Sequence, residues 1–400
     1  MRRLAVTLAA LLVLATLGAA PGGGAVAAGP ESPAARDTAS VPQNSTRTLL
    51  LSGDDRAGFA RPEFNLSVAL HVQRSSGATA MTGYVIQERF TRVSSMDARR
   101  RILKQSLDEL AAEAQRLTAE ERQARRAVLS GDRSLAQYAA TLGRLDARAD
   151  QLWTALGRVE NFSSRVQPSA PVLTRIYEVE GRLSPFRGSI REAFASRVTT
   201  GTPVDTRVHI WVAATGFAVA EKRFLRYHRE AYRADNFDAA PAATSGRDGF
   251  RLLGELYPVL LSQSPSRRIR SRGTAGYRFV LNYPGGRLVS QVDSSTRQVY
   301  GETWTVQLDS YRPGPAVRNS SGNVTLAVNR TFPGGPLRVR VTNATGRPLS
   351  ARIAVNGTPV GPTGADGTLW ALSPAGRYSV TADRGDQEVV LRVAALRPGQ

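Results

Sequence analysis

Leu103, Leu107, Leu110, Ala114, Leu117, Glu121, Ala124 and Val128 recur at alternating spacings of four and three, and only Glu121 breaks the apolar run. Ser130-Gly131-Asp132 reads as a turn. Leu135, Tyr138, Leu142, Leu145, Ala149, Leu152, Leu156 and Val159 then resume the spacing. Two heptad seams joined by a tight turn specify an antiparallel helical hairpin. Ser94-Ser-Met-Asp97 supplies capping chemistry at its start. About 30 residues per limb, at 1.5 Å each, give an arm of roughly 45 Å. Mixed Arg and Glu on its outer faces read as solvated. The arm, residues 95–160, is expected either as a spacer or as a partner-binding coiled coil, and its pairing within one chain or between two is left open.

A chain of 400 residues exceeds a single core. Residues 47–167 are expected to hold a short strand at 48–51, a helix over 64–90 and the hairpin. Residues 168–312 read as mixed α/β. Helices are expected at 172–180, 186–198 and 248–261, a β-hairpin from 207–213 and 217–222, and strands at 277–281, 288–292 and 299–308. Residues 239–246 read as a linker. Residues 319–396 show short strands and no helix, at 324–329, 337–341, 351–356, 369–372, 378–382 and 389–393, which means a β-sandwich. The fold class is therefore α+β and multidomain: a long antiparallel helical hairpin, a mixed α/β middle region and a C-terminal all-β sandwich.

The N-terminus carries an export signal. Arg2 and Arg3 precede an apolar run over 4–17, and Ala25-Val26-Ala27 fits a small-residue cleavage site. That order makes 1–27 a secretory signal peptide, of the general or the twin-arginine type. A spanning helix needs about 20 apolar residues, which this run lacks. Residues 28–46 read as a disordered leader. No transmembrane segment is expected in the mature chain, and its place is extracellular or at the cell surface. Of ten asparagines, eight are followed by x-Ser/Thr: Asn44, Asn65, Asn161, Asn319, Asn323, Asn329, Asn343 and Asn356. Such sequons are candidate glycan acceptors on exported surfaces.

Catalytic chemistry is sparse. Absence of cysteine excludes disulfides, thiolate nucleophiles and Cys-based metal sites. His71, His209 and His228 have no metal-site spacing. His209 alternates with Trp211 and reads as structural, while His228 lies in a charged run expected to face water. Asp146 and Asp150, flanked by Arg144 and Arg148, read as solvated. No nucleophile elbow, Walker loop or dinucleotide fingerprint is present, so no catalysis, cofactor or metal is expected. The net charge is +20, and Lys104 and Lys222 are the only lysines. G+C-rich codon use alone produces such arginine excess, yet arginine forks well to phosphate, carboxylate and sulfate. Arg267, Arg268, Arg270 and Arg272, near Tyr277 and Phe279, either hold an anion or blunt a sheet edge, the second being the simpler reading. Export argues against nucleic acid and leaves an envelope protein or an anionic glycan as the partner. The oligomeric state is not fixed.

Three resemblances add to this. Gly346-Arg-Pro-Leu-Ser-Ala-Arg-Ile-Ala-Val-Asn-Gly357, Thr363-Gly-Ala-Asp-Gly-Thr-Leu369 and Pro374-Ala-Gly-Arg-Tyr-Ser-Val380 resemble the carboxypeptidase regulatory-like (transthyretin-like) sandwich. That likeness implies a non-catalytic module, with Asp366 as a turn residue. The order of parts, with Arg229-Glu-Ala-Tyr232, Glu255-Leu-Tyr-Pro258, Pro284-Gly-Gly-Arg-Leu288 and Val324-Thr-Leu-Ala-Val-Asn-Arg-Thr331, resembles a family of exported haloarchaeal proteins filed under domains of unknown function. Such halophile proteins are normally acidic, and this chain is basic. Residues 277–300 are similar to PepSY domains, which implies modulation of an exported peptidase. The expected function is that of a secreted, N-glycosylated cell-surface protein with a structural, adhesion or partner-binding role. The alternatives are a PepSY-like modulator and an Arg-rich binder of anionic glycan or nucleic acid.

Overall fold

The computed structural model describes residues 49–60, 66–166, 170–200, 207–238, 245–271 and 276–396. The expected signal peptide and leader, Asn44, Asn65, Arg272 and most of the expected linker lie outside the described residues.

Helix α1 (Leu66–Thr91) precedes the hairpin of α2 (Met96–Ser130) and α3 (Leu135–Arg165). Ser95 caps α2 by accepting from the Ala98 amide, and Ser134 with Gln137 closes a capping box on α3. Gly131, at φ +95°, ends α2 by donating its amide to Val128 O. The hairpin is not a free arm. Its seam residues are buried together with Ile86 and Phe90 of α1 and with Ile176, Val179 and Leu183 of α4 (Ala170–Leu183). Helix α5 (Ser189–Thr200) packs on α3 at Gly143, where a Cβ would stand 2.7 Å from the Ala195 amide nitrogen. Helices α4 and α5 thus pack with the hairpin in one helical layer. Asp146 is buried within this layer rather than solvated.

Eight strands form one antiparallel sheet: β1 (Asp55–Ala60), β2 (Val208–Ala213), β3 (Gly216–Arg223), β4 (Arg226–Arg233), β5 (Ser266–Ser271), β6 (Tyr277–Tyr283), β7 (Gly286–Val292) and β8 (Val299–Gln307). Their order is β1-β2-β3-β4-β8-β7-β6-β5. One face presents Val208, Ile210, Val212, Phe217, Val219 and Tyr232 to Tyr138, Leu142, Ile190 and Phe194 of the helical layer. On the opposite face, Phe279, Leu281, Leu288 and Trp304 pack against α6 (Gly246–Leu256) and α7 (Pro258–Gln263). These two replace the single helix expected over 248–261, because Pro258 lacks the amide that a continuing helix needs.

Two further expectations change. The apolar run at 48–51 is no strand where it is described; Leu49 and Leu51 are buried over Ala213, Ala218 and Ala231. Residues 226–233 form the central strand β4 instead of a solvated charged run, with His228 half-buried and its Nδ1 3.3 Å from Thr305 Oγ1.

The C-terminal sandwich packs β14 (Thr368–Leu372), β11 (Pro336–Asn343), β10 (Val324–Asn329) and β9 (Ala316–Ser321) against a second sheet. That sheet holds β13 (Thr358–Pro362), β12 (Arg352–Val355), β15 (Arg377–Asp383) and β16 (Glu388–Ala394). Alternate residues such as Val324, Leu326, Val328, Val339, Val341, Val380 and Ala382 fill the core between them. Asp366 is a turn residue: its Oδ1 accepts from the Thr368 amide at 3.0 Å. The fold is thus α+β and multidomain, with a helical layer, an eight-stranded sheet and an all-β sandwich.

Candidate functional site

Three of the buried acids are held in ion pairs, Glu121 by Arg125, Glu230 by Arg191 and Glu302 by Arg229. Arg229 donates through Nη1 to Glu302 Oε1 at 3.1 Å and through Nη2 to Leu49 O at 2.8 Å. The Leu49 amide donates to the same Glu302 oxygen at 3.0 Å. The Tyr257 hydroxyl lies 2.8 Å from Ser290 Oγ and 3.1 Å from Glu302 Oε2. Burial pushes the Glu302 carboxyl up, against the pull of Arg229. Glu121, the break in the heptad seam, binds Arg125 Nε at 3.1 Å and takes the Tyr138 hydroxyl at 2.7 Å. Arg125 in turn donates to the carbonyls of Ala213 and Ala214. A polar residue is needed there because that end of the hairpin docks on a β-turn with open carbonyls, which apolar residues cannot satisfy. Glu230 accepts from the Ile190 amide at 2.8 Å and from Arg191 Nε at 3.0 Å, beside the N-terminus of α5. These are joints of the fold.

The arginine cluster lies on β5, the outermost strand of the sheet, with Arg267, Arg268 and Arg270 exposed. Arg267 covers the Phe250 ring at 5.2 Å. Arginines on an exposed edge discourage strand addition. The sequons spread widely. Asn161 is exposed near the end of α3. Asn323 lies on the β9–β10 turn and Asn343, half-buried, ends β11 beside it at one end of the sandwich, where Asn323 Oδ1 accepts from the Ala344 amide at 3.1 Å. Asn319 is exposed on β9, and its Nδ2 donates to Val390 O at 2.7 Å. Asn329 is half-buried and donates to Gly314 O. Asn356 sits in the β12–β13 turn at φ +48°, with Oδ1 taking the Ser379 amide at 2.9 Å.

A cleft of about 1330 Å³ opens where α5, the β1–β3 side of the sheet and the β12–β13 hairpin meet. Arg197, Arg207, Lys222 and Arg223 line it, and among its described lining residues none is acidic. Arg197 is only 4% exposed, yet none of its three guanidinium nitrogens has a hydrogen-bond partner among the described residues. Glu221 supplies its nearest opposing charge, but that carboxylate is held by Arg223 Nε at 2.9 Å. His209 also lines the cleft, with Nε2 unpartnered and its ring edge-on to Phe59 at 5.2 Å. Burial, aided by Arg229, lowers its pKa to about 4, so it is neutral at pH 7. Burial also lowers Lys222. The rim carries exposed apolar side chains: Phe59 at 41%, Val360 at 38% and Phe224 at 93%. This set of groups attracts anions. No motif spacing signals it, since its residues come from distant parts of the chain.

Residues 1–203 match a domain of unknown function, DUF7096. This chain belongs to that family. Residues 208–312 match a second family of unknown function, DUF7094, and residues 315–391 match an archaeal fibronectin-III type-like domain. No curated protein matches the chain. In this DUF7096 protein the first boundary falls between α5 and β2, where the helical layer gives way to the sheet. In the sandwich, β12 and β13 cross to the sheet of β15 and β16 while β14 returns to β11, the strand exchange of immunoglobulin-like and fibronectin type III sandwiches. The matched domain is thus fibronectin-III-like, where the turn motifs resemble a transthyretin-like one; both are β-sandwiches. None of the three matches indicates an enzyme family, which fits a non-catalytic structural or binding role. Among the described residues no helix is long and apolar enough to cross a membrane.

Proposed function

We propose that this DUF7096 protein is exported and cleaved after its signal peptide, carries N-linked glycans, and serves at the cell surface in a non-catalytic binding or structural role. The observation that carries the reading is the pair of neighbouring sequons at one end of the sandwich, Asn323 on the β9–β10 turn and Asn343 at the last position of β11. A turn or a strand end gives a modifying enzyme access to the asparagine with little disturbance of the sheet. Asn329 offers the contrast, because its Nδ2, the atom a glycan would take, is committed to Gly314 O.

Fractionation of native cells followed by intact and peptide mass measurement tests this. The expected species starts near residue 28, sits in the surface fraction, and bears added mass on peptides containing Asn323 and Asn343 but none on Asn329. A full-length, unmodified chain in the cytoplasm overturns the proposal.

A further inference from the structure

The turn between β3 and β4 is Lys222-Arg223-Phe224-Leu225-Arg226, with Arg223 paired to Arg226 across it. Two-residue hairpin turns favour Asn and Gly, which accept positive φ freely. Here the first turn residue is Phe224, at φ +50°. An aromatic side chain pays for that conformation with steric strain and, at 93% exposure, recovers nothing by packing. Its neighbour Leu225 is 54% exposed as well. The tip is nevertheless firmly held, because the Leu225 carbonyl accepts the Leu308 amide at 2.8 Å. Two apolar side chains are thus presented to solvent on a fixed hairpin, against the requirements of the local fold.

The surroundings are basic. Lys222, Arg223 and Arg226 flank the tip, and Arg207 shares the cleft with it. The acidic side chains near that end are Glu221, already bound to Arg223, and Asp309, just past β8. Phe59 and Val360 extend the exposed apolar rim on the same cleft. Apolar side chains that enter the interface between headgroups and acyl chains, ringed by cations at phosphate level, hold proteins reversibly on anionic bilayers. We infer that the β3–β4 tip of this protein docks on an anionic lipid surface, with Phe224 and Leu225 inserted and the flanking cations on the lipid phosphates. An acidic glycan suits the cations but gives no use to an inserted Phe–Leu pair. The inference goes beyond the proposed function and does not depend on glycosylation or cleavage, because vesicles read the surface directly.

The test is co-sedimentation of the full chain with vesicles of phosphatidylcholine alone or with a quarter phosphatidylglycerol. Binding to the anionic vesicles is expected to be at least about tenfold tighter, and to weaken with salt. Phe224→Gly with Leu225→Ser is expected to cut it about tenfold or more, as is Lys222→Gln with Arg226→Gln. Phe224→Gly also relieves the backbone strain, so that variant keeps or raises its Tm, and lost binding cannot be put down to unfolding. The inference is overturned if anionic vesicles are not bound, or if the Phe224→Gly, Leu225→Ser variant binds them as well as the parent. Retention on heparin that is indifferent to Phe224 and unaccompanied by vesicle binding overturns it in favour of an acidic glycan.

Discussion

Removing Arg229 leaves a carboxylate stranded in the middle of the sheet. In Arg229→Met, Glu302 retains only the Leu49 amide and the Tyr257 hydroxyl, and Leu49 O loses its donor. Breaking one side of a buried ion pair costs roughly 3–5 kcal/mol. Glu302→Gln alone strands the cation instead and is expected to cost roughly 2–4 kcal/mol by the same reasoning. The double variant strands neither charge. Its glutamine Oε1 can still accept the Leu49 amide, so the remaining loss is mainly the unpaired Leu49 carbonyl, about 1–3 kcal/mol. Urea denaturation followed by tryptophan fluorescence reads all four states, with Trp304 two residues along β8 from Glu302 as a local probe. The sum of the singles should exceed the double by about 2–8 kcal/mol. Burial raises the Glu302 carboxyl already, so acidification should protonate it and shrink the cost of Arg229→Met. A single-variant cost below about 1 kcal/mol, or additive singles, would refute the claim that this pair is a buried, mutually dependent joint.

Asp146 should give the protein a pH-dependent penalty. Burial first, then opposed by Arg191 and the Gly188 amide, lifts its pKa from 3.8 to about 7, with Glu230 and Glu192 adding to the rise. The native state therefore holds a proton that the unfolded chain has released, and stability falls as pH rises from about 4 to 7. Asp146→Asn should remove that slope, raising unfolding free energy at pH 8 by up to roughly 4 kcal/mol with little change at pH 4. Equal effects at both pH values would sink the assignment. Two glycines of α3 should respond to alanine with opposite signs in thermal denaturation. Gly143→Ala forces α3 and α5 apart at the Ala195 and Phe194 backbone and should cost about 1–3 kcal/mol. Gly157→Ala meets nothing within 4 Å and should gain up to about 1 kcal/mol from helix propensity.

The helical hairpin was legible because its period persists over helices of 35 and 31 residues. Six of the sandwich strands were legible, most clearly those such as β10, where every second residue is buried; β9 and β13, which bury no such alternating face, were not expected. Strand β4 was not. Both of its faces are covered, and its Arg229 and Glu230 are buried in ion pairs, so the charge that usually marks solvent marks the interior. The run at 48–51 failed for the complementary reason. It is apolar like a strand, but Leu49 finds its hydrogen bonds in the side chains of Arg229 and Glu302, not in a ladder. Hairpin burial under α1 and α4 depends on contacts between helices that no single periodicity encodes. The basic cleft could not be read from spacing, since Arg197, His209, Lys222 and Val360 meet only through the tertiary fold.

Three of the buried acids, Glu121, Glu230 and Glu302, share a location that explains why a fold would keep them. Glu121 and Arg125 lie in the part matched by DUF7096 and reach the Ala213 and Ala214 carbonyls in the part matched by DUF7094. Glu230 belongs to the second part and holds the Ile190 amide and Arg191 of the first. Glu302 belongs to the second and holds the Leu49 amide of the first. Arg191–Glu230 crosses the boundary as an ion pair, the other two pairs reach across it to backbone groups, and β1 crosses it too, as the edge strand laid on β2. Buried ion pairs add little net stability over apolar packing, but a misplaced one is costly. Set along a boundary otherwise made of Val, Ile, Leu and Phe, they penalise every sliding arrangement that apolar contact alone would tolerate. Among the described residues the two matched segments thus share one interface, across which the helical layer supplies Arg191 to Glu230 of the sheet and the sheet supplies the carbonyls that Arg125 of the hairpin needs.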